Sequence, residues 1–475
     1  MFNLFLTFLF LVYNEKLWIN YLACDNFLNI TGDERMIYVG IKNGILIFDA
    51  KKIEYLKSLT KLDGIVENLK LIAYDQELNS LWLLDDSSNL MNYSPFTKKK
   101  EIFKLAINPQ AIGVGKQFLY FLVNEDTFKW DKKKRKLLKI EKTDDTSLFW
   151  YGKKKKYLVK NFIFLTPYYY VDENLNKYYY EEVFVSKKNL WVSADDYGIL
   201  VFDLTTKNLV KVFPFNSILG RIKKIVKFEK NLWLIADDYL IKTDDKIWQW
   251  QFIPISFNTK IYNEKENLLK YKFLELFYKK PVTILTNSQD LLAYISENNI
   301  YLFLPDYSKP IEIGVPALVE NVSFLKDTLV ILTRESFYLF DYKNNNFLDF
   351  SNYPSELKFG VFSFISLKNV WYLGVRGGFW IYKDNKWKKI ILPINDLSEP
   401  VRELVSFNTY LITNIKNQII FFDTKSQLFF FLKKEDGLLD DNIYSLAVDN
   451  NKLWITHKKG ISVFDLTSLT KRIKK

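Results

Sequence analysis

Asn189-Leu-Trp-Val-Ser-Ala-Asp-Asp-Tyr-Gly-Ile-Leu-Val-Phe-Asp203 sets two short apolar runs on either side of a polar turn that ends in glycine. Runs of five residues are too short for a stable helix and suit strands. Asp195-Asp196-Tyr197-Gly198 supplies the residue types that tolerate left-handed backbone angles or cap local amides. The stretch therefore reads as a β-hairpin, with strands over 190–194 and 199–203. An outer strand is expected over 209–213, and the first strand of a new unit over 222–228.

The same pattern recurs from one end of the chain to the other. Strong copies are Met36-Ile-Tyr-Val-Gly-Ile-Lys-Asn-Gly-Ile-Leu-Ile-Phe-Asp49, Asn231-Leu-Trp-Leu-Ile-Ala-Asp-Asp238, Asn369-Val-Trp-Tyr-Leu-Gly-Val-Arg-Gly-Gly-Phe-Trp-Ile-Tyr382 and Lys452-Leu-Trp-Ile-Thr-His-Lys-Lys-Gly-Ile-Ser-Val-Phe-Asp465. Weaker copies centre on Trp82, Tyr120, Leu292, Val330 and Leu411. Of the nine intervals between the ten anchors, seven lie between 38 and 44 residues, the length a four-stranded propeller blade occupies. The expected fold is all-β: a β-propeller built from about ten four-stranded blade repeats over 25–475. Ten copies suit either one wide ring or two smaller propellers split near 258–281. The two long intervals mark insertions near 132–182 and 256–281. The first has room for a degenerate hairpin over 148–160, and the second contains a helical pattern over 263–278.

Composition agrees with a folded, water-facing chain. Of 475 residues, 48% are hydrophobic and 26% charged, which excludes disordered, collagen-like and polytopic membrane classes. In a radial fold both faces of each sheet are buried, so the 40 Phe, 30 Tyr and 12 Trp are expected to fill the wedges between sheets. That role is assigned to Trp82, Trp191, Trp233, Trp371 and Trp454. The net charge of +12 accompanies an excess of Phe, Ile, Lys, Tyr and Asn, the residues of AT-rich codons, and is read as genome composition rather than a nucleic-acid surface. The lysine runs at 98–100, 132–136 and 153–156 fall where strands turn and read as solvated.

Residues 1–24 read as a signal peptide or apolar leader. Phe2 to Tyr13 is apolar apart from Asn3 and Thr7, too short to span a membrane and the size of a signal-peptide core. Tyr21-Leu22-Ala23-Cys24 resembles a lipoprotein box and makes Cys24 a candidate lipidation site. Export is expected, with a cytoplasmic location as the alternative.

The C-terminal copy, Glu435-Asp-Gly-Leu-Leu-Asp-Asp-Asn-Ile-Tyr-Ser-Leu-Ala-Val-Asp-Asn-Asn-Lys-Leu-Trp-Ile-Thr-His-Lys-Lys-Gly-Ile-Ser-Val-Phe-Asp465, resembles the two-component regulator propeller repeat. Lys61-Leu-Asp-Gly-Ile65, leading to Leu81-Trp82, is a second partial match. The resemblance spans about 26–466 at the level of repeats and implies a ligand-sensing propeller outside the membrane, of a kind often joined to a sensor kinase. The sequence stops at Lys475 directly after its last repeat, so signalling is expected to need a separate protein. The family has no universal catalytic residues, and the resemblance speaks to fold rather than activity.

Common catalytic designs lack their parts. One Cys and one His exclude an intrachain disulfide and a Cys/His zinc site, and His457 is read as a turn residue rather than an acid–base catalyst. The carboxylate pairs Asp85/Asp86, Asp195/Asp196, Asp237/Asp238, Asp244/Asp245 and Asp440/Asp441 recur at turns, where turn chemistry explains them. Arg376-Gly377-Gly378 is too short to cradle a phosphate. No catalytic, metal or cofactor-binding residue is assigned. Two tyrosine triplets in Thr166-Pro-Tyr-Tyr-Tyr-Val-Asp-Glu-Asn-Leu-Asn-Lys-Tyr-Tyr-Tyr-Glu181 read as a hairpin. Alternation pairs Tyr168 with Tyr170 and Tyr178 with Tyr180, a candidate ligand or partner surface if exposed and packing against the propeller flank otherwise. The expected function is a non-catalytic, exported or envelope-associated propeller that binds a protein or glycan ligand as a monomer and meets the membrane only through its leader or a lipid anchor. The alternatives are an extracytoplasmic carbohydrate-active hydrolase or lyase, and a free-standing sensor acting with a separate signalling protein.

Overall fold

Short apolar runs bounded by Asp, Asn and Gly satisfy their backbone amides by pairing with one another. In the computed structural model they do so as successive antiparallel meanders, a β-propeller architecture. The structure describes residues 9–10, 17–24, 26–140, 148–152, 162, 164–172, 175–195, 197–228, 231–236, 239–243, 251–254, 284–288, 291–296, 299–303 and 310–467. Most of the leader, the helical reading over 263–278, the insertion over 256–281, Asp237/Asp238, Asp244/Asp245, the lysines 153–156 and the tail after Thr467 lie outside these residues.

The opening hairpin forms as its residues dictate. Asn189–Ala194 pairs with Gly198–Asp203, placing Trp191 opposite Val201. Leu209–Phe213 adds on one side and Lys177–Val185 on the other. Gly198 opens its strand at φ +127°, where an added Cβ would lie 2.2 Å from the Phe213 carbonyl oxygen, so a side chain would part the strands. Trp191 is fully buried and stacks on Phe213 at 6.1 Å, with Phe48 of another sheet at 5.5 Å. This is the wedge-filling role expected of the repeat tryptophans.

The aspartate that ends several of the copies also has a local cause. The carboxylates of Asp49, Asp131, Asp203 and Asp341 each accept hydrogen bonds from the two amides two and three residues ahead, at 2.6–3.0 Å, closing the turn into the outer strand. These bonds favour the ionised form and hold Asp131, Asp203 and Asp341 below the ordinary carboxylate range. The Asp-Gly signature is a single turn of 3₁₀ helix. The carboxylates of Asp63 and Asp436 accept from the amides of Thr60 and Lys433 at 2.8 and 2.9 Å, and Gly64 closes the first turn at φ +85°.

The chain forms two compact units, Ile19–Gly220 and Arg221–Lys475 with Met1–Trp18. The division falls at the 3₁₀ turn Ser217–Arg221, well before the 258–281 segment where the sequence offered a split. The reason is packing: Ile222–Phe228 lies beside Ile443–Asp449, which ties the following sheet to the C-terminal unit. Among the described residues the first unit has sheets over 27–59, 69–104, 111–140 and 169–213, and the second over 222–254, 284–314, 319–348, 363–391, 405–432 and 443–465. In each unit the innermost strands of the first and last sheets are neighbours, as ring closure requires. Phe149–Tyr151, from the first predicted insertion, pairs with Ala111–Val114 on the inner side of its sheet.

One residue of a lysine run has a different role from the one expected. Lys132 is 6% exposed and donates to Asp75, itself 1% exposed, at 2.5 Å. The ammonium also donates to the Gly115 carbonyl at 2.6 Å. Asp75 accepts the Trp82 indole N–H at 2.9 Å and the Leu78 amide at 3.2 Å. Two neighbouring sheets are thereby clamped through one buried carboxylate, whereas Lys133 and Lys134 next to it are exposed.

Candidate functional site

The innermost strands of the C-terminal unit surround a cavity of about 370 Å³ lined by Lys224, Lys227, Asn321, Ser363, Glu403 and Ser406 among others. Its charges are matched. Glu403 accepts from Lys224 Nζ at 2.7 Å, from Ser445 Oγ at 2.9 Å and from the Leu446 amide at 2.7 Å. Lys227 pairs with Asp449 at the other end of the same strands. Ser445 also accepts the Ile225 amide at 3.3 Å. The channel thus joins three sheets through polar side chains that satisfy one another, an arrangement that fixes geometry rather than leaving a nucleophile and base in reach of a substrate. Among the described residues no group of three or more His, Cys, Asp or Glu side chains is placed to hold a metal ion.

His457, read as a turn residue, ends the strand Lys452–His457 and is fully buried. Its Nε2 lies 3.1 Å from Ser462 Oγ. Burial, only partly offset by Asp440, pulls its pKa down to about 4. A neutral buried histidine contributes stability above the ordinary value of 6.5 that is lost as pH falls toward 4, about 3 kcal/mol in total. Urea midpoints of the wild type and His457→Gln should therefore converge between pH 7 and pH 4. A gap that stays constant over that range would contradict this assignment.

The tyrosine hairpin forms, and three of its four candidate tyrosines pack inward. Tyr170 pairs opposite Tyr178, and Tyr169 opposite Tyr179. Tyr170 is buried, Tyr178 and Tyr180 are half-buried, and the Tyr178 ring lies 4.4 Å from Tyr197. Tyr178 and Tyr180 donate to Asp172 and to the Thr166 carbonyl at 3.1 and 2.6 Å, and burial pushes the Tyr180 hydroxyl up to about 12. Of the four candidate tyrosines only Tyr168, just before the strand, is strongly exposed, at 69%. The outward face consists of the alternate residues: Tyr179 at 65%, Tyr169, and Lys177 with Nζ 5.0 Å above the Tyr169 ring. Alternation was legible, but which set faces inward depends on Tyr197 and Phe202, which come from a later hairpin.

Cys24 is 2% exposed, its thiol donates to the Leu22 carbonyl at 3.5 Å, and its amide donates to Asn216 at 3.1 Å. Acylation there would require bringing a buried sulfur to the surface and losing Trp18, whose ring packs 4.8 Å from Phe464.

No known family profile matches the chain, and no curated protein sequence matches it. Solved structures do resemble it. PorZ from Porphyromonas gingivalis, described as an essential bacterial surface component of the type-IX secretion system, superposes with a TM-score of 0.51 at 10% identity, covering 94% of this chain and 87% of PorZ. The extracellular domain of BT3049 from B. thetaiotaomicron, described as a hybrid two component system, gives 0.38 at 12% identity over 94% of this chain and 82% of that domain. At 10% identity the likeness to PorZ is one of fold.

Proposed function

We propose that this chain is a non-catalytic propeller, exported to the cell envelope or surface, that binds a glycan through the outward face of its tyrosine hairpin. The observation that carries the reading is the exposure of Tyr168 and Tyr179 at 69% and 65%, beside a cation held over Tyr169. Two aromatic faces and a donor rising from a rigid sheet suit stacking on sugar rings. The fold shared with PorZ, a surface component, supports the location, as does the apolar leader in the sequence. No helix among the described residues is long and apolar enough to cross a membrane.

Glycan-array binding by the purified chain tests the reading. Tyr179→Ala combined with Tyr169→Ala is expected to weaken any captured glycan at least tenfold, while the melting temperature stays within a few degrees because both rings sit on the outer face. Turnover of the glycan, abolished by substituting a carboxylate, would instead establish a carbohydrate-active enzyme. Co-purification of a membrane sensor kinase, with no glycan captured, would favour the free-standing sensor.

A further inference from the structure

Only seven of the 67 Lys and Arg residues are arginine, so codon composition that favours lysine does not account for an arginine cluster. Three of the seven are linked in the C-terminal unit, two through one aromatic ring and two through one carboxylate. Arg334 lies in the hairpin turn between Thr328–Thr333 and Phe337–Asp341, Arg376 in the turn between Val370–Val375 and Gly378–Lys383, and Arg402 just before Val405–Phe407. The guanidinium carbons of Arg376 and Arg402 lie 5.3 and 5.6 Å from the centroid of Phe362, a buried ring beside which Gly360 turns the chain at φ +111°. Arg334 and Arg402 share the carboxylate of Glu320, Arg334 through a short Nε bond and Arg402 at 3.6 Å.

Arginine stacked on an aromatic ring keeps its planar edge free for a bidentate oxyanion. Arg402 uses one side on Glu320. Arg376, against the same ring, donates to the Ser398 carbonyl at 2.7 Å, a bond that fixes its position without neutralising it. Arg376 has no carboxylate partner among the described residues. The side chains of Arg334 and Arg402 are 67% and 64% exposed. Two of the three guanidinium groups share that one carboxylate, and the third is held by a ring contact and a carbonyl.

We propose that Arg376 and Arg402, which meet the same Phe362 ring, form a binding subsite for the oxyanion of an acidic ligand, while Glu320, shared by Arg402 and Arg334, is the carboxylate that Arg402 already holds. This goes beyond the glycan reading and stands on different residues in a different unit, so either can fail alone. The test titrates the full chain calorimetrically at low ionic strength with two probes, tricarballylate for carboxylate and inorganic phosphate for phosphate. At least one is expected to bind, with affinity falling as salt is raised. Arg376→Met should weaken that probe at least tenfold, and Arg376→Lys, which keeps the charge but loses the fork, should fall between. Arg135→Met, in the other unit, should leave it unchanged. Whichever probe binds identifies the ligand's acidic group. Binding of neither probe, or equal binding by the wild type and Arg376→Met with matching melting temperatures, would overturn the proposal. Should Arg376→Met melt early, the Arg376→Lys comparison decides on the same criterion.

Discussion

Replacing Lys132 by methionine is expected to lower the stability of the Ile19–Gly220 unit by about 3–5 kcal/mol, because it strands a buried carboxylate. Asp75 would keep the Trp82 indole and the Leu78 amide but lose the only cation bonded to it among the described residues. The Gly115 carbonyl would lose its ammonium donor as well. Removing the charge from both partners in Lys132→Met with Asp75→Asn should recover much of the loss, since the penalty lies in the unpaired charge rather than in the absence of the pair. Urea unfolding followed by hydrogen exchange, which reports the two units separately, measures both variants. A loss below about 1 kcal/mol for Lys132→Met would place Lys132 with the surface lysines beside it.

The second large effect concerns Glu403. Glu403→Ala is expected to cost the Arg221–Lys475 unit about 2–3 kcal/mol, below the range for a fully buried pair because Lys224 is 32% exposed and water can take over part of its solvation. The Leu446 amide, deeper in the strand, has no such recourse. Glu403→Gln keeps an oxygen for that amide and gives up the ionic bond, so about 1 kcal/mol is expected. The same unfolding measurement, read on exchange-protected amides of Ile443–Asp449, distinguishes the two. Equal losses for Ala and Gln would mean that the ion pair, rather than the amide acceptor, holds the channel.

Both residues show where reading along the chain stops working. Lys132 belongs to a run of basic residues in a turn, and its neighbours Lys133 and Lys134 are solvated as such a run suggests. Nothing within a few residues marks Lys132 as the one that points inward, because its partner Asp75 lies 57 positions earlier. Glu403 likewise meets Lys224 across 179 positions. The arginine cluster gathers side chains from separate turns, and Arg376, read on its own, carried no signal beyond a short glycine pair. The tyrosine hairpin was half legible. Its strands and alternation follow from local pattern, but Tyr170 and Tyr178 turn inward because Tyr197 and Phe202 offer them a surface.

The sequence by itself determined the repeating hairpin, its turn glycine, its capping aspartate and the tryptophan wedge, because each of these is enforced within about ten residues by backbone sterics, amide satisfaction and alternation. Tertiary structure alone decided where the chain divides, which charged side chains are buried, and which aromatic and arginine groups stand together at the surface. Those depend on contacts between sheets that are distant in sequence, where burial sets the energy of a charge and no local pattern records it.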